Sequence, residues 1–306
     1  MTLLPDFLVV GAAKSGTTSL FRILQQDPRV FIPEIKECRF FSQMPRNFRG
    51  GEAAKFQNEG PRDLDEYISL YDGKSEFIKG DISTDYFYYY EASIASIKHT
   101  YRQIGQEEPK IIILLRNPVD RVFSMYNHII RLGSDTKDFA NAFYLSHERI
   151  KQGYAWTFDL MGVGMSANAV EAFMSSFKRV GIYLYEDIFA TGDMSAIARD
   201  LNLNPELLRP LKIRENANDY RRPKSLYVNA ALSKLAHNSV SFLSPLKDSI
   251  VYELIKEGYH YLSRANRGAH KDILSIEQRN NLLKYYEKDT NRLEKLIGTS
   301  LNQWRL

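Results

Sequence analysis

Phe7-Leu-Val-Val-Gly11-Ala-Ala-Lys14-Ser-Gly16-Thr-Thr-Ser-Leu20 is the stretch that decides the fold. A short apolar run enters a Gly/Ser/Thr loop with one lysine, and an amphipathic stretch follows. A buried parallel strand, an anion-cradling turn and the first turn of a helix have this order. Backbone N–H groups in such a loop converge on one concavity, and the helix dipole adds partial positive charge there. Five of the six side chains from Lys14 to Ser19 can donate hydrogen bonds, so an anionic group is the expected occupant.

The position of the lysine narrows the chemistry. A Walker A loop reads G-x-x-x-x-G-K-[ST], with lysine directly after the second glycine. Gly11 and Gly16 have that separation, yet Thr17 fills the lysine position and Lys14 comes three residues early. The loop suits a phosphate-like group but lacks the lysine that reaches the outer phosphates of a nucleoside triphosphate.

Lys110-Ile-Ile-Ile-Leu-Leu115 reads as a central parallel strand covered on both faces. An NTPase often ends this strand in a metal-holding aspartate; here Arg116 stands there, able to grip a phosphate bidentately. Its alternative use is an ion pair with a nearby carboxylate. Asn117 suits a helix N-cap and Pro118 the first helical position. Ser124 follows two turns into that helix.

Taken together these segments resemble the sulfotransferases that use 3′-phosphoadenosine 5′-phosphosulfate (PAPS). Lys14-Ser-Gly-Thr-Thr-Ser19 is similar to their 5′-phosphosulfate loop, and Leu115-Arg116-Asn-Pro-Val-Asp-Arg-Val-Phe-Ser124-Met-Tyr126 to their 3′-phosphate segment. Pro33-Glu34-Ile-Lys-Glu37-Cys-Arg-Phe40-Phe41 resembles the Glu-x-x-Phe-Phe element of the bacterial and heparan-sulfate-type branches. Asp81-Ile-Ser-Thr-Asp-Tyr86-Phe87 is like their Glu-Lys-Ser/Thr-Pro-x-Tyr-Phe segment, and Leu293 to Trp304 like their closing Leu-Gly-x-x-Leu-x-x-Trp pattern.

The resemblance implies an enzyme with PAPS as donor co-substrate and no metal. Lys14, Ser15, Gly16, Thr17, Thr18 and Ser19 would hold the phosphosulfate, Lys14 meeting charge on the departing oxygen. Arg116 and Ser124 would hold the 3′-phosphate, with Arg267 and Gly268 closing over it. Glu37 is the first candidate for general base, Asp81 the second. For Glu37 the competing reading is a solvated partner of Lys36 or Arg39. His128, one turn after Ser124, is a further candidate whose competing role is structural. A P-loop kinase or a non-catalytic nucleotide-binding module are the alternatives for the whole chain.

Composition sets limits. The 306 residues, 44% hydrophobic, can bury one large core. A net charge of +4 suits a small polyanion but not a nucleic-acid partner. The single cysteine, Cys38, excludes an intrachain disulfide and points to a reducing compartment. No apolar run approaches eighteen residues and no signal-peptide pattern opens the chain, so a cytoplasmic protein without a membrane span is expected.

The expected fold is α/β, a P-loop-like three-layer arrangement with a central parallel sheet, in a single domain over 1–306. The core sheet falls within 6–190 and a mostly helical region within 200–306. Strands are expected near 6–11, 29–33, 76–81, 110–115 and 180–185. Helices are expected over 16–26, 87–103, 118–132, 137–151, 166–178 and about 275–297. Residues 42–63 and 216–224 read as surface loops, the latter a candidate gate. Tyr86 to Tyr90 offers walls for an acceptor pocket. The acceptor itself is left open: a small-molecule, glycan, lipid or carrier-tethered hydroxyl, with the cations at 214, 221, 222 and 224 hinting at an anionic one.

Overall fold

The computed structural model describes residues 3–44, 47–55, 59–209, 221–242, 257–258 and 261–305. Five parallel strands form the central sheet: β1 (Phe7–Gly11), β2 (Val30–Phe31), β3 (Ile78–Ile82), β4 (Lys110–Leu115) and β5 (Val180–Leu184). Their order is β2-β3-β1-β4-β5, with helical connections between them. Parallel pairing requires such crossovers and covers both faces, which explains the uninterrupted apolar runs. Ile111 to Leu115 are fully buried. Truncating one of them to alanine should cost about 2–5 kcal/mol through lost transfer energy and a cavity.

β1 lies at the centre, Leu8 facing Asp81 of β3 on one side and Ile111 of β4 on the other. The loops that leave β1, β3 and β4 therefore share the carboxyl edge of the sheet, where open α/β sheets bind ligands. Close packing of β1 on β3 depends on Gly80: a Cβ there would fall 2.1 Å from the Phe7 ring.

All five expected strands form, β2 reduced to two residues. The expected helices form with two breaks. The 87–103 stretch divides into Asp85–Tyr88 and Tyr90–Ile104, and 137–151 into Phe139–Tyr144 and Ser146–Lys151. The first break follows from side-chain packing: Tyr88 lies against Trp156, ring centroids 5.2 Å apart, and donates to Asp159 Oδ2 at 2.7 Å. Asn117 caps Pro118–Arg131 as expected, accepting from the Val119 N–H. Ser275 and Gln278 form a reciprocal capping box at the start of Ile276–Ile297.

Two expectations are corrected. The 42–63 loop contains a short helix, Glu52–Lys55, and Arg49 bridges to Tyr154. The carboxyl-terminal region is mostly helical as expected, but the 216–224 loop is not all loop: β6 (Arg221–Pro223) pairs antiparallel with β7 (Arg267–Lys271). Arg221 and Arg222 thus stand on a strand, not in a gating loop, and this ribbon packs on Pro118–Arg131. Arg214, one of the cations that hinted at an anionic acceptor, and the part of the proposed gate before residue 221 lie outside the described residues. The chain's last turn returns to the sheet, where the Trp304 carbonyl accepts from Asn117 Nδ2 at 3.0 Å.

Candidate functional site

The loop after β1 turns on Gly16, whose φ of 88° is left-handed. A Cβ at Gly16 would fall 2.4 Å from the Phe189 ring, so only glycine fits. Gly16 is also the N-cap of Thr17–Leu24 and offers no side-chain cap. The first-turn N–H groups of that helix are consequently left for a ligand or water. Ser15 is fully buried and its Oγ has no partner.

Arg116, 102 residues away, reaches this loop directly: its Nη1 donates to the Lys14 carbonyl at 3.2 Å. Its guanidinium lies 4.4 Å from the centre of the Tyr185 ring, a cation–π contact, and its Nε is buried without a partner. The carboxylate partner weighed as an alternative for Arg116 is not found; no ion pair of Arg116 is present among the described residues. Glu186 instead accepts from the Asn117 N–H at 3.2 Å. Two buried polar atoms near Lys14, Ser15 Oγ and Arg116 Nε, thus remain unsatisfied.

Lys14 is itself perturbed. Burial, reinforced by the charges of Arg131, Lys36 and Arg116, lowers its ammonium to about 8, and Glu37 acts in the opposite direction. Four charged groups, Lys36, Glu37, Arg116 and Arg131, therefore act on Lys14. Ser124, half-buried on Pro118–Arg131, stands on the helix that Asn117 caps.

Glu37 lies on the loop after β2, tied to the end of β3 by its N–H to the Ile82 carbonyl at 3.0 Å. Its carboxylate accepts from Lys36 Nζ at 3.2 Å, Thr84 Oγ1 at 3.3 Å and Arg39 Nη2 at 2.8 Å. Burial alone would raise its carboxyl, but the Lys36 and Arg39 charges and hydrogen bonds outweigh it and hold it at about 2. Pairing with Lys36 and Arg39 was the competing reading for this residue, and both pairs are present. The group is not solvated, however: its side chain is 17% exposed.

His128 belongs to the same cluster. Burial first, then the Lys14 and Arg131 charges, lower its imidazole to about 3, so the ring is neutral. Arg131 Nη2 lies 3.1 Å from Nδ1. A guanidinium only donates, so Nδ1 carries the lone pair and Nε2 the proton.

Asp81 is placed differently. It is fully buried and its carboxylate accepts from Tyr67 Oη at 2.9 Å, Tyr86 Oη at 2.7 Å and Ser83 Oγ at 2.7 Å. Those donors reach onward: Ser83 Oγ accepts from the Arg39 N–H at 3.1 Å and Tyr86 Oη from the Phe40 N–H at 3.1 Å. Asp81 thereby holds the Glu37 loop in place, and it presents no exposed oxygen to an acceptor.

Two residues, Asp85 and Tyr185, escaped the sequence reading. Asp85 is fully buried, neither oxygen is hydrogen-bonded, and burial raises its carboxyl to about 7 against the pull of Arg39. Tyr185 supports Arg116; an aromatic directly after β5 on the Arg116 edge of the sheet was the available signal. Arg39, inside the Glu-x-x-Phe-Phe element, is the nearer of the two cations on Glu37. Arg267 is exposed at the start of β7, and Gly268 packs on the Arg222 carbonyl. Their ribbon borders the helix that carries Ser124, and among the described residues no hydrogen bond or ion pair joins them to Arg116 or Lys14.

Among the described residues no cluster of three or more His, Cys, Asp or Glu could hold a metal ion. No described helix is long and apolar enough to cross a membrane.

Comparison with known proteins gives this site a setting. A sulfotransferase domain model matches residues 4–190, the stretch that contains all five sheet strands. The chain is 28% identical over 129 residues to the human bifunctional heparan sulfate N-deacetylase/N-sulfotransferase 3, a match spanning 41% of this chain and 13% of that protein. It is 31% identical over 128 residues to the membrane-associated sulfotransferase kil1 of Dictyostelium discoideum, 42% of this chain and 24% of that one. The match thus spans less than a quarter of the length of these relatives. A sulfotransferase crystal structure from Alicyclobacillus acidocaldarius superposes with a TM-score of 0.73 at 26% identity, covering 99% of both chains.

Proposed function

The chain belongs to the sulfotransferase family, and from that premise we propose that it moves the sulfuryl group of PAPS to an acceptor hydroxyl or amine by in-line displacement. The observation that carries this reading is the Arg116–Lys14 contact, which joins the two anion motifs into one site. The fit rests on that site's own chemistry: uncapped helix N–H groups, the unpartnered Ser15 Oγ and Arg116 Nε, and a lysine lowered by burial and by neighbouring cations.

In this reading Lys14 and the N–H groups of Ser15, Gly16, Thr17, Thr18 and Ser19 hold the 5′-phosphosulfate. Arg116 and Ser124 hold the 3′-phosphate that distinguishes this donor from ATP, and Arg267 and Gly268 close over it from β7. The donor supplies an activated sulfuryl group. The protein's share is positioning and fixed positive charge, which act most strongly where water is excluded.

Glu37 accepts the acceptor's proton. Its carboxylate is ionised throughout the physiological range, as a base must be, yet at about 2 it is a weak one. Lys36 or Arg39 must therefore turn toward the donor's charge for Glu37 to gain basicity. His128, neutral with a proton on Nε2, keeps a donor available beside the same cluster. Asp81 acts through Ser83 and Tyr86 as a positioning group. The lone buried Cys38 fits a reducing, cytoplasmic setting.

The test is transfer from radiolabelled PAPS to a panel of hydroxyl and amine acceptors. Label entering an acceptor with equal release of 3′,5′-phosphoadenosine is expected. Phosphate release from ATP, with no transfer from PAPS, would contradict the proposal.

A further inference from the structure

At the seam where the chain's last turn returns to the sheet lies a cavity of about 270 Å3, partly open to solvent. Pro118, at the start of Pro118–Arg131, forms one wall, and Trp304 forms another. Leu283, Glu287 and Thr290 line it from Ile276–Ile297, at the i, i+4, i+7 spacing of one helix face. Among the described residues, none of those assigned a part in sulfotransfer lines it.

The polar groups along it are unequally engaged. Arg305 is taken up by Glu294, Asn291 and Asn302, and Glu287 adds a weaker pull. Lys284, also in the wall, has no hydrogen bond or ion pair among the described residues. Trp304 is 2% exposed, yet its indole N–H has no partner. A buried donor without an acceptor is costly, and a ligand oxygen would relieve it.

Three consecutive residues join this cavity to the donor site. Arg116 donates to the Lys14 carbonyl, Asn117 Nδ2 donates to the Trp304 carbonyl at 3.0 Å, and Pro118 lines the cavity. Asn117 is held further by its cap on the Val119 N–H and by its own N–H to Glu186. Whatever fixes the Trp304 turn therefore also fixes the backbone on which Arg116 stands.

We propose that this cavity is an effector site for a small aryl carboxylate, and that its occupancy tightens nucleotide binding through Asn117. The coupling rests on the sulfotransfer reading above; the binding site does not. Size sets the ligand's body. A dry cavity of about 150 Å3 holds one benzene ring, so this one suits one or two rings against Leu283 and Pro118. Chemistry sets its charge. An ammonium and an indole N–H only donate, so the partner they share must accept, and a carboxylate satisfies both.

Trp304 reports binding directly, because the chain has only one other tryptophan, Trp156. In Trp156→Phe protein, 2-naphthoate should change Trp304 fluorescence saturably, and neutral 2-naphthamide should bind about tenfold more weakly. Lys284→Glu, at an exposed position, should weaken naphthoate by about tenfold or more. Leu283→Phe, which fills the cavity, should do likewise, with thermal unfolding to verify each fold. Calorimetry of 3′,5′-phosphoadenosine with saturating naphthoate should give an affinity about fivefold higher or more, and the nucleotide should tighten naphthoate by the same factor. Asn117→Ser keeps a helix cap but loses the reach to Trp304, so it should bind naphthoate without this coupling. The site is overturned if wild-type protein does not bind naphthoate, if naphthamide binds equally well, or if binding is undiminished in both folded variants. The coupling is overturned if naphthoate leaves nucleotide affinity unchanged or lowers it, or if the gain persists in Asn117→Ser. Failure of wild-type protein to bind the nucleotide at all would strike the sulfotransfer reading, while the fluorescence titration still decides the site.

Discussion

Asp81 and Glu37 sit on neighbouring segments, both joined to the end of β3, and their surroundings drive them apart. Asp81 is enclosed by three neutral hydroxyls, and burial raises its carboxyl above the usual range. Glu37 is also shielded from solvent, yet two cations hold it far below that range. Neutral donors satisfy a buried carboxylate's lone pairs without offsetting the loss of hydration, so the group becomes a rigid anchor. Cations keep the charge in place and make it responsive to anything that competes for them. One region holds the loop still; the other is poised to change when an anionic ligand arrives.

The contrast breaks most visibly in catalysis. Glu37→Gln should lower transfer by roughly 10²–10⁴-fold, the usual worth of a general base, with nucleotide affinity retained by calorimetry. Unimpaired turnover would remove Glu37 from the base role. In the anchor region the loss is stability: Tyr86→Phe deprives Asp81 of one donor and Phe40 N–H of its acceptor. Denaturant unfolding should show a cost of about 1–3 kcal/mol, with the larger part present in Tyr67→Phe/Tyr86→Phe.

A smaller effect sharpens the comparison through Asp85, a third buried carboxylate on which the charge of Arg39 does not offset burial. Its folded value of about 7 exceeds its ordinary 3.8, so the fold binds its proton more tightly than the unfolded chain does. Stability from this group is full below about 3.8 and lost as pH rises through 7. Asp85→Asn should accordingly raise the melting temperature by a few degrees at pH 8 and by much less at pH 5. Glu37 has the opposite sign: its contribution is present above about 4.5 and lost as pH falls toward 2.

Much of this was legible in the chain. The apolar runs at 7–11 and 110–115 placed the two central strands, because a strand covered on both faces can carry no alternation. Lys14 and Arg116 stood out as candidates because each stands where a strand end or tight loop has no packing use for a charge, while Glu37 was reached only through the resemblance of Pro33–Phe41 to a family element. What escaped depends on distant partners. The β6–β7 ribbon joins short charged segments more than forty residues apart, with no local pattern to mark them. Asp85 looks like an ordinary polar residue until the fold buries it completely. The break at Tyr89 is set by Tyr88 packing on Trp156, a contact that helix periodicity cannot register.

The central claim is that Lys14 and Arg116 form one site for a nucleotide carrying a 3′-phosphate. Calorimetric binding of 3′,5′-phosphoadenosine to wild-type protein and Arg116→Ala, with AMP and ATP as controls, tests it most directly. Loss of charge-assisted contacts worth about 1.5–3 kcal/mol predicts affinity tenfold to a hundredfold weaker in the variant, and a comparable deficit for AMP on wild-type protein. As Lys14 loses its proton near 8, affinity should also fall as pH rises through that value. Equal affinity for AMP, or an Arg116→Ala variant that binds as tightly as wild type, would contradict the account.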